Sequence, residues 1–147
     1  MIKIICVGKI KEKFFQQSLE EYQKRLTKYT KLQIIELEDY NYNSLQKEKE
    51  QILKHINQKD YIITMEIEGQ QLSSEELAHK IQTIQNTNST ITFIIGGSYG
   101  LDEEIKKLSN YKLSFSKLTF PHQLFRIILL EQIYRAYKII NNESYHK

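Results

Sequence analysis

Ile91-Thr92-Phe93-Ile94-Ile95-Gly96-Gly97-Ser98-Tyr99-Gly100 is the stretch on which the reading of the fold turns. Its first half is a short, unbroken apolar run rich in β-branched residues, the pattern of a strand buried on both faces. The glycines end that run. A short helix then fits 102–108, with Asp102, Glu103 and Glu104 in its first turn, where carboxylates complement the helix dipole. Strand, glycine turn and helix together make the repeating unit of a parallel sheet.

The alternation continues in both directions. Upstream, Ile2–Val7 reads as a buried strand, and Phe15, Leu19, Tyr22, Leu26 and Tyr29 mark one face of a helix by steps of four and three. Leu32–Leu37 is strand-like, Leu45, Ile52 and Ile56 outline a second helix, and 61–67 is a strand ended by Gly69. Ser73 with Glu76 forms a capping-box pattern ahead of Leu77, Ile81 and Ile84. Downstream, 111–115 is the last strand, and a long helix follows Pro121 to about Ile140, leaving a tail over 141–147. The fold class expected is α/β: a mainly parallel sheet with helices on both faces, forming a single domain over 1–147. Ligands in such sheets bind at the carboxyl ends of the strands. The loops 8–13, 66–69, 96–100 and 115–122 are therefore the candidate site.

Composition narrows the function classes. Cys6 is the only cysteine of 147 residues, so an intramolecular disulfide and a thiolate metal cage are excluded. Its apolar neighbours fit a buried structural thiol better than a reactive one. The strand-like N-terminus lacks a signal-peptide run and no stretch reaches membrane-spanning length, so a cytoplasmic setting without membrane contact is expected. Net charge is +3 but unevenly spread: residues 1–31 carry eight Lys/Arg against three Glu, 32–110 seven against thirteen acids, and 111–147 six against two. Basic ends around an acidic middle can present a positive face to a polyanion, though a pI near 8.8 does not by itself name a nucleic acid.

The segment Leu124-Phe125-Arg126-Ile127-Ile128-Leu129-Leu130 is apolar on nearly every side, so its helix must be buried all round. A second copy of the chain in a two-fold dimer supplies the missing cover; a helix wedged centrally in the monomer is the other solution. Arg126 and Arg135 on this helix need anionic or carbonyl partners, with Glu131 across a dimer or RNA phosphate as candidates.

Gly96-Gly97-Ser98-Tyr99-Gly100 matches the G-x-S-x-G nucleophile elbow, but no carboxylate on a following strand end and no oxyanion loop accompany it. The same glycines fail the dinucleotide fingerprint, because Asp102 stands at the third glycine, and no Walker-A pattern occurs. They serve close backbone approach to a ligand or a plain tight turn. His55, His79, His122 and His146 show no metal-ligand spacing, so no metal is expected. His55 and His79 read as solvated, whereas His122 begins the last helix beside a strand-end loop. It can bind phosphate or handle a proton there, or serve as a structural cap. Glu75 and Glu76 read as helix-dipole partners, and Lys9, Lys11 and Lys13 as solvated surface or a hold on a phosphate backbone. The ending Ser144-Tyr145-His146-Lys147 is either a frayed terminus or a group that stacks a base and holds its phosphate.

Several of these segments together carry a resemblance: 93–98, 113–124, Arg126, 130–136 and the final Tyr145-His146-Lys147. They closely resemble the ribosomal RNA large subunit methyltransferase H family, with weaker likeness at Val7-Gly8-Lys9 and Gly69. The connection at 40–44 is shorter than in many relatives. The resemblance implies a SPOUT fold with a C-terminal trefoil knot, which no pattern in the sequence reveals. It also implies a homodimer and S-adenosyl-L-methionine as cofactor. The cofactor pocket would be made by Met65, where many relatives have Leu, by Gly96, and by Phe115, Ser116, Lys117, Leu118, Thr119 and Phe120. The implied target is N3 of a pseudouridine in the helix 69 loop of 23S rRNA within the assembled ribosome. His122, Arg126, Arg135, Tyr145 and His146 are the candidates for substrate positioning. His122, His146 or water is also a candidate to assist loss of the N3 proton. Rival readings are a methyltransferase of another RNA such as tRNA, a non-catalytic RNA-binding module, and a hydrolase built on Ser98.

Overall fold

A computed structural model describes residues 1–39 and 45–147; the connection at 40–44 lies outside the described residues. Five strands, β1 (Ile2–Val7), β2 (Leu32–Leu37), β3 (Tyr61–Gln71), β4 (Ile91–Ile95) and β5 (Tyr111–Ser114), form one sheet in the order β2-β1-β4-β3-β5. Every pairing is parallel. Between and after them run α1 (Lys13–Leu26), α2 (Leu45–Lys54), α3 (Ser74–Gln85), α4 (Glu103–Leu108) and α5 (His122–Ile140). β1 and β4 are buried along their whole length, as their unbroken apolar runs require.

Period-two alternation divides the core. Ile2, Ile4, Cys6, Ile63, Phe93 and Ile95 point to the face covered by α1, α3 and α5. Ile5, Ile62 and Ile94 point to the other, with Leu37, Ile52, Leu101 and Ile105. The expected capping box is present: Ser73 Oγ accepts from Glu76 N–H at 3.1 Å, and Glu76 Oε1 accepts from Ser73 N–H at 2.9 Å.

Two sequence expectations need correction. β3 does not stop before Gly69 but runs on to Gln71, with a register shift between Met65 and Gln70 against β5. Gly69 belongs to this extension because a Cβ there would meet the Lys112 carbonyl at 2.7 Å, so only glycine admits β5 so close. The second correction concerns α5. It lies between α1 and α3, burying Ile127, Leu129, Leu130, Ile133, Tyr134, Ala136 and Tyr137 within its own chain. The central-helix solution therefore accounts for most of its apolar surface, and Leu124, Phe125 and Ile128 remain half-buried.

Candidate active site

The carboxyl ends of β4 and β5, with the part of β3 at its register shift, open into a cavity of about 390 Å³, within the range of small-molecule sites. Ile95 and Gly96 leave β4 at its floor, Met65 and Glu66 come from β3, and Leu113 to Ser116 from β5 and the loop after it. Leu118, Thr119, Phe120, His122 and Phe125 complete the lining. The Phe115 and Phe125 rings are tilted with centroids 5.3 Å apart, and Phe120 stacks on Phe125 at 6.1 Å. The loop after β5 is braced by Ser116 Oγ, which accepts from Leu118 N–H at 3.0 Å, and by Ser114 Oγ donating to the Ser116 carbonyl at 3.1 Å. At Gly96 a Cβ would lie 2.5 Å from the Gly100 carbonyl oxygen, so the turn closes only around a bare main chain. The product is a mainly apolar pocket that Glu66, Lys106, Thr119 and His122 also line.

Of the eight residues expected to bind a cofactor, Met65, Gly96, Phe115, Ser116, Leu118, Thr119 and Phe120 line this cavity. Lys117 is on the same loop but exposed, and it is not part of the lining. His122 joins the wall. Glu66, from the expected loop 66–69, also lines it, whereas sequence reasoning missed Lys106 on α4. The Glu66 carboxylate accepts from Thr64 Oγ1 at 2.6 Å.

Arg126 is a correction. It was expected to hold RNA, yet it is 1% exposed. Its guanidinium donates to Glu36 Oε2 at 2.7 Å and to the Gly8 carbonyl at 3.0 Å, and among the described residues its Nε has no hydrogen-bond partner. A buried arginine so committed is structural. Glu131 pairs not with Arg126 but with Arg135 one turn on, at 2.8 Å.

Tyr145 and His146 are not a frayed end. Tyr145 packs edge-on against Tyr134 with centroids 5.0 Å apart, its hydroxyl donates to Glu131 at 3.1 Å, and Arg135 lies 4.8 Å over its ring. Burial, then the Glu131 carboxylate, raise its hydroxyl above the usual phenol range. His146 Nδ1 is 3.0 Å from Arg135 Nη1 and its Nε2 is 2.6 Å from Glu75 Oε1. Because arginine only donates, Nδ1 accepts and Nε2 carries the proton given to Glu75. A backbone hydrogen bond in its own turn, then His146, hold the Glu75 carboxyl below its ordinary value. The tail is thus tied to α5 and α3, and Arg135, Tyr145 and His146 do not line the cavity.

Ser98 is exposed in a turn closed by Gly100 N–H donating to the Gly97 carbonyl at 3.0 Å. Among the described residues it has no hydrogen bond to a histidine, so the nucleophile–base pair of a hydrolase is not built. No group of three His, Cys, Asp or Glu positioned to hold a metal occurs among the described residues. No helix there is long and apolar enough to cross a membrane.

Known proteins now give the class and then the family. Residues 1–146 match the family model described as "Predicted SPOUT methyltransferase". The crystal structure of tRNA (m1G37) methyltransferase from Aquifex aeolicus aligns with a TM-score of 0.53 over 91% of this chain and 69% of that one. Its 15% sequence identity makes that a likeness of fold alone. The protein is a methyltransferase of the SPOUT class. Ribosomal RNA large subunit methyltransferase H of Caldicellulosiruptor saccharolyticus is 50% identical over 154 residues, covering 100% of both chains. That of Clostridium botulinum strain Kyoto is 51% identical over 157 residues, covering 99% of both. The chain belongs to the ribosomal RNA large subunit methyltransferase H family.

Proposed function

We propose that this chain transfers the methyl group of S-adenosyl-L-methionine to N3 of a pseudouridine in the helix 69 loop of 23S rRNA. It does so on the assembled ribosome in the cytoplasm, as a single-domain homodimer with a C-terminal trefoil knot. The observation that carries the cofactor is the mainly apolar cavity at the strand ends, whose lining includes seven of the eight residues that the family resemblance implies. The cofactor has no phosphate, so a pocket without a phosphate-cradling loop suits it. Phe115, Phe120, Phe125 and Leu113 offer apolar walls to an adenine, and the bare main chain at Gly96 offers hydrogen-bonding groups to its edge.

When bound, the cofactor supplies an electrophilic methyl group on a sulfonium. The residues around it contribute position, which is the main requirement of in-line transfer. N3 must also lose a proton. His122 lines the cavity and is the candidate acceptor in this chain, since His146 is held between Arg135 and Glu75. Arg135, Tyr145 and His146 remain candidates for holding the RNA loop, from outside the cofactor pocket. Two features support the knot and the dimer. The chain leaves edge strand β5, passes the ends of β3 and β4, and reaches β1 and β2, where Arg126 meets Gly8 and Glu36. Half-buried Ile128 stands with Leu72, Leu77 and Phe120 along a shallow groove that a second copy can cover.

Calorimetry with S-adenosyl-L-methionine, followed by methyl incorporation into ribosomes, tests the reading. Binding is expected in the wild type and at least a tenfold loss in Gly96→Ala, whose new Cβ collides with Gly100. Absence of cofactor binding by the wild type overturns the enzyme reading, and exclusive labelling of tRNA overturns the target.

A further inference from the structure

We propose that Lys9, Lys11, Lys13 and Phe14 form the strip on which the RNA strand rests as it enters the cavity, held in place by Glu36 and Arg126. The proposal rests on the RNA-directed reading above and adds a contact surface to it. Gly8, at φ +92°, turns the chain out of β1, and from there Lys9, Lys11, Lys13 and Phe14 are exposed while Ile10 is buried. Phe14 shows 59% of its surface, a large aromatic left in water at the start of a helix. Its ring is kept in place by Phe15, centroids 4.5 Å apart.

The strip is rigid because its main chain is already committed. Gly8 N–H donates to the Leu37 carbonyl at 2.7 Å, Ile10 N–H to Glu36 Oε2 at 2.8 Å, and Lys11 N–H to Gln123 Oε1 at 3.1 Å. Arg126 holds the Gly8 carbonyl, and Gln16 Nε2 donates to the Ile10 carbonyl at 3.1 Å. These bonds leave the side chains as the free groups. None of the three ammonium groups has a carboxylate within ion-pair distance among the described residues, and Glu12 is the one opposing charge within the strip.

Position then selects the partner. Gln123 follows His122, which lines the cavity, and Gly97, which also lines it, packs beside Val7 at the end of β1. A nucleotide whose base enters the cavity therefore carries its neighbouring phosphates over residues 9–13. Spaced ammonium groups beside an exposed aromatic ring are the elements that hold a single strand: charge along the backbone and a face for one base.

The test uses the full-length protein saturated with S-adenosyl-L-methionine, titrated with ribosomes and with the helix 69 hairpin at several salt concentrations. Replacing Lys9, Lys11 and Lys13 together by Gln is expected to flatten the slope of log K against log salt by about 2, for three single-strand phosphate contacts. Phe14→Ala is expected to weaken RNA binding on the order of tenfold. Cofactor affinity by calorimetry stays at the wild-type value in both. Lys31→Gln, Lys54→Gln and Lys59→Gln combined remove the same charge from the opposite end of the sheet and are expected to keep the wild-type slope. A wild-type slope in the Lys9/Lys11/Lys13 variant, or an equal loss in the control, overturns the strip. Failure of the proposed function looks different, because then the wild type itself binds no cofactor or methylates no RNA.

Discussion

At Cys6 the side chain has no exposed surface, and its Sγ lies 3.4 Å from the Ile35 carbonyl. Burial pushes the thiol up to about 12, overcoming the opposing pull of nearby Arg126. The thiolate is the reactive species, so iodoacetamide at pH 8 is expected to leave Cys6 unmodified until urea unfolds the chain. Alkylation at the rate of a free thiol in native buffer would contradict that burial. The inert thiol was legible in the sequence because its neighbours are apolar. Lys3, three positions earlier in the same strand, was not. It is 4% exposed, donating to Asp60 Oδ2 at 3.0 Å and to the His55 carbonyl at 2.8 Å. Thr92 Oγ1 donates to the same carboxylate oxygen at 3.0 Å. The partners of Lys3 lie more than fifty residues away, and hydrophobic periodicity carries no information about such a pair.

Elements tell the same story with different stakes. The strands, their parallel pairing and the span of α5 follow from apolar runs, and so do the strand-end loops that wall the cavity. What the pattern could not show is which neighbour buries α5, because an all-round apolar helix looks the same inside a monomer or between two copies. Nor could it show where Arg126 points, since Glu36 is ninety residues upstream. That pair makes an asymmetric prediction. Glu36→Ala strands a guanidinium that is 1% exposed, at a cost of roughly 3 kcal/mol or more, measurable by urea denaturation. Arg126→Met leaves instead a carboxylate whose side chain is 33% exposed and can be hydrated, so its cost is expected to be smaller. The reverse order would show that the pair does not hold α5 to β1 and β2.

For the whole molecule, the C-terminal end is a structural closure as much as a tail. Glu143 accepts from the Tyr29 hydroxyl at 3.0 Å and from Lys138 at 3.0 Å, joining the end of α5 to the end of α1. Lys138, then Tyr29, hold the Glu143 carboxyl below its ordinary value. A depressed carboxylate contributes stability that is fully present above its unfolded value and lost as pH falls through the folded one. Glu143→Gln should therefore lower the Tm at pH 7, and the difference should fade below about pH 4. A constant difference across that range would point to packing in place of charge. Deleting Tyr145, His146 and Lys147 is expected to spare cofactor binding, because these residues do not line the cavity, while reducing methylation of ribosomes. Equal loss of both would contradict an RNA-facing role.

The path of the chain from β5 across the ends of β3 and β4 to β1 also sets the order in which the molecule matures. One wall of the cavity and the helix that seats it lie in the last part of the chain to be synthesised, while the floor comes from strands made earlier. Contacts so distant in sequence form only after the intervening sheet is in place. The pocket is therefore finished only once the segment after β5 has been made and has packed across the sheet.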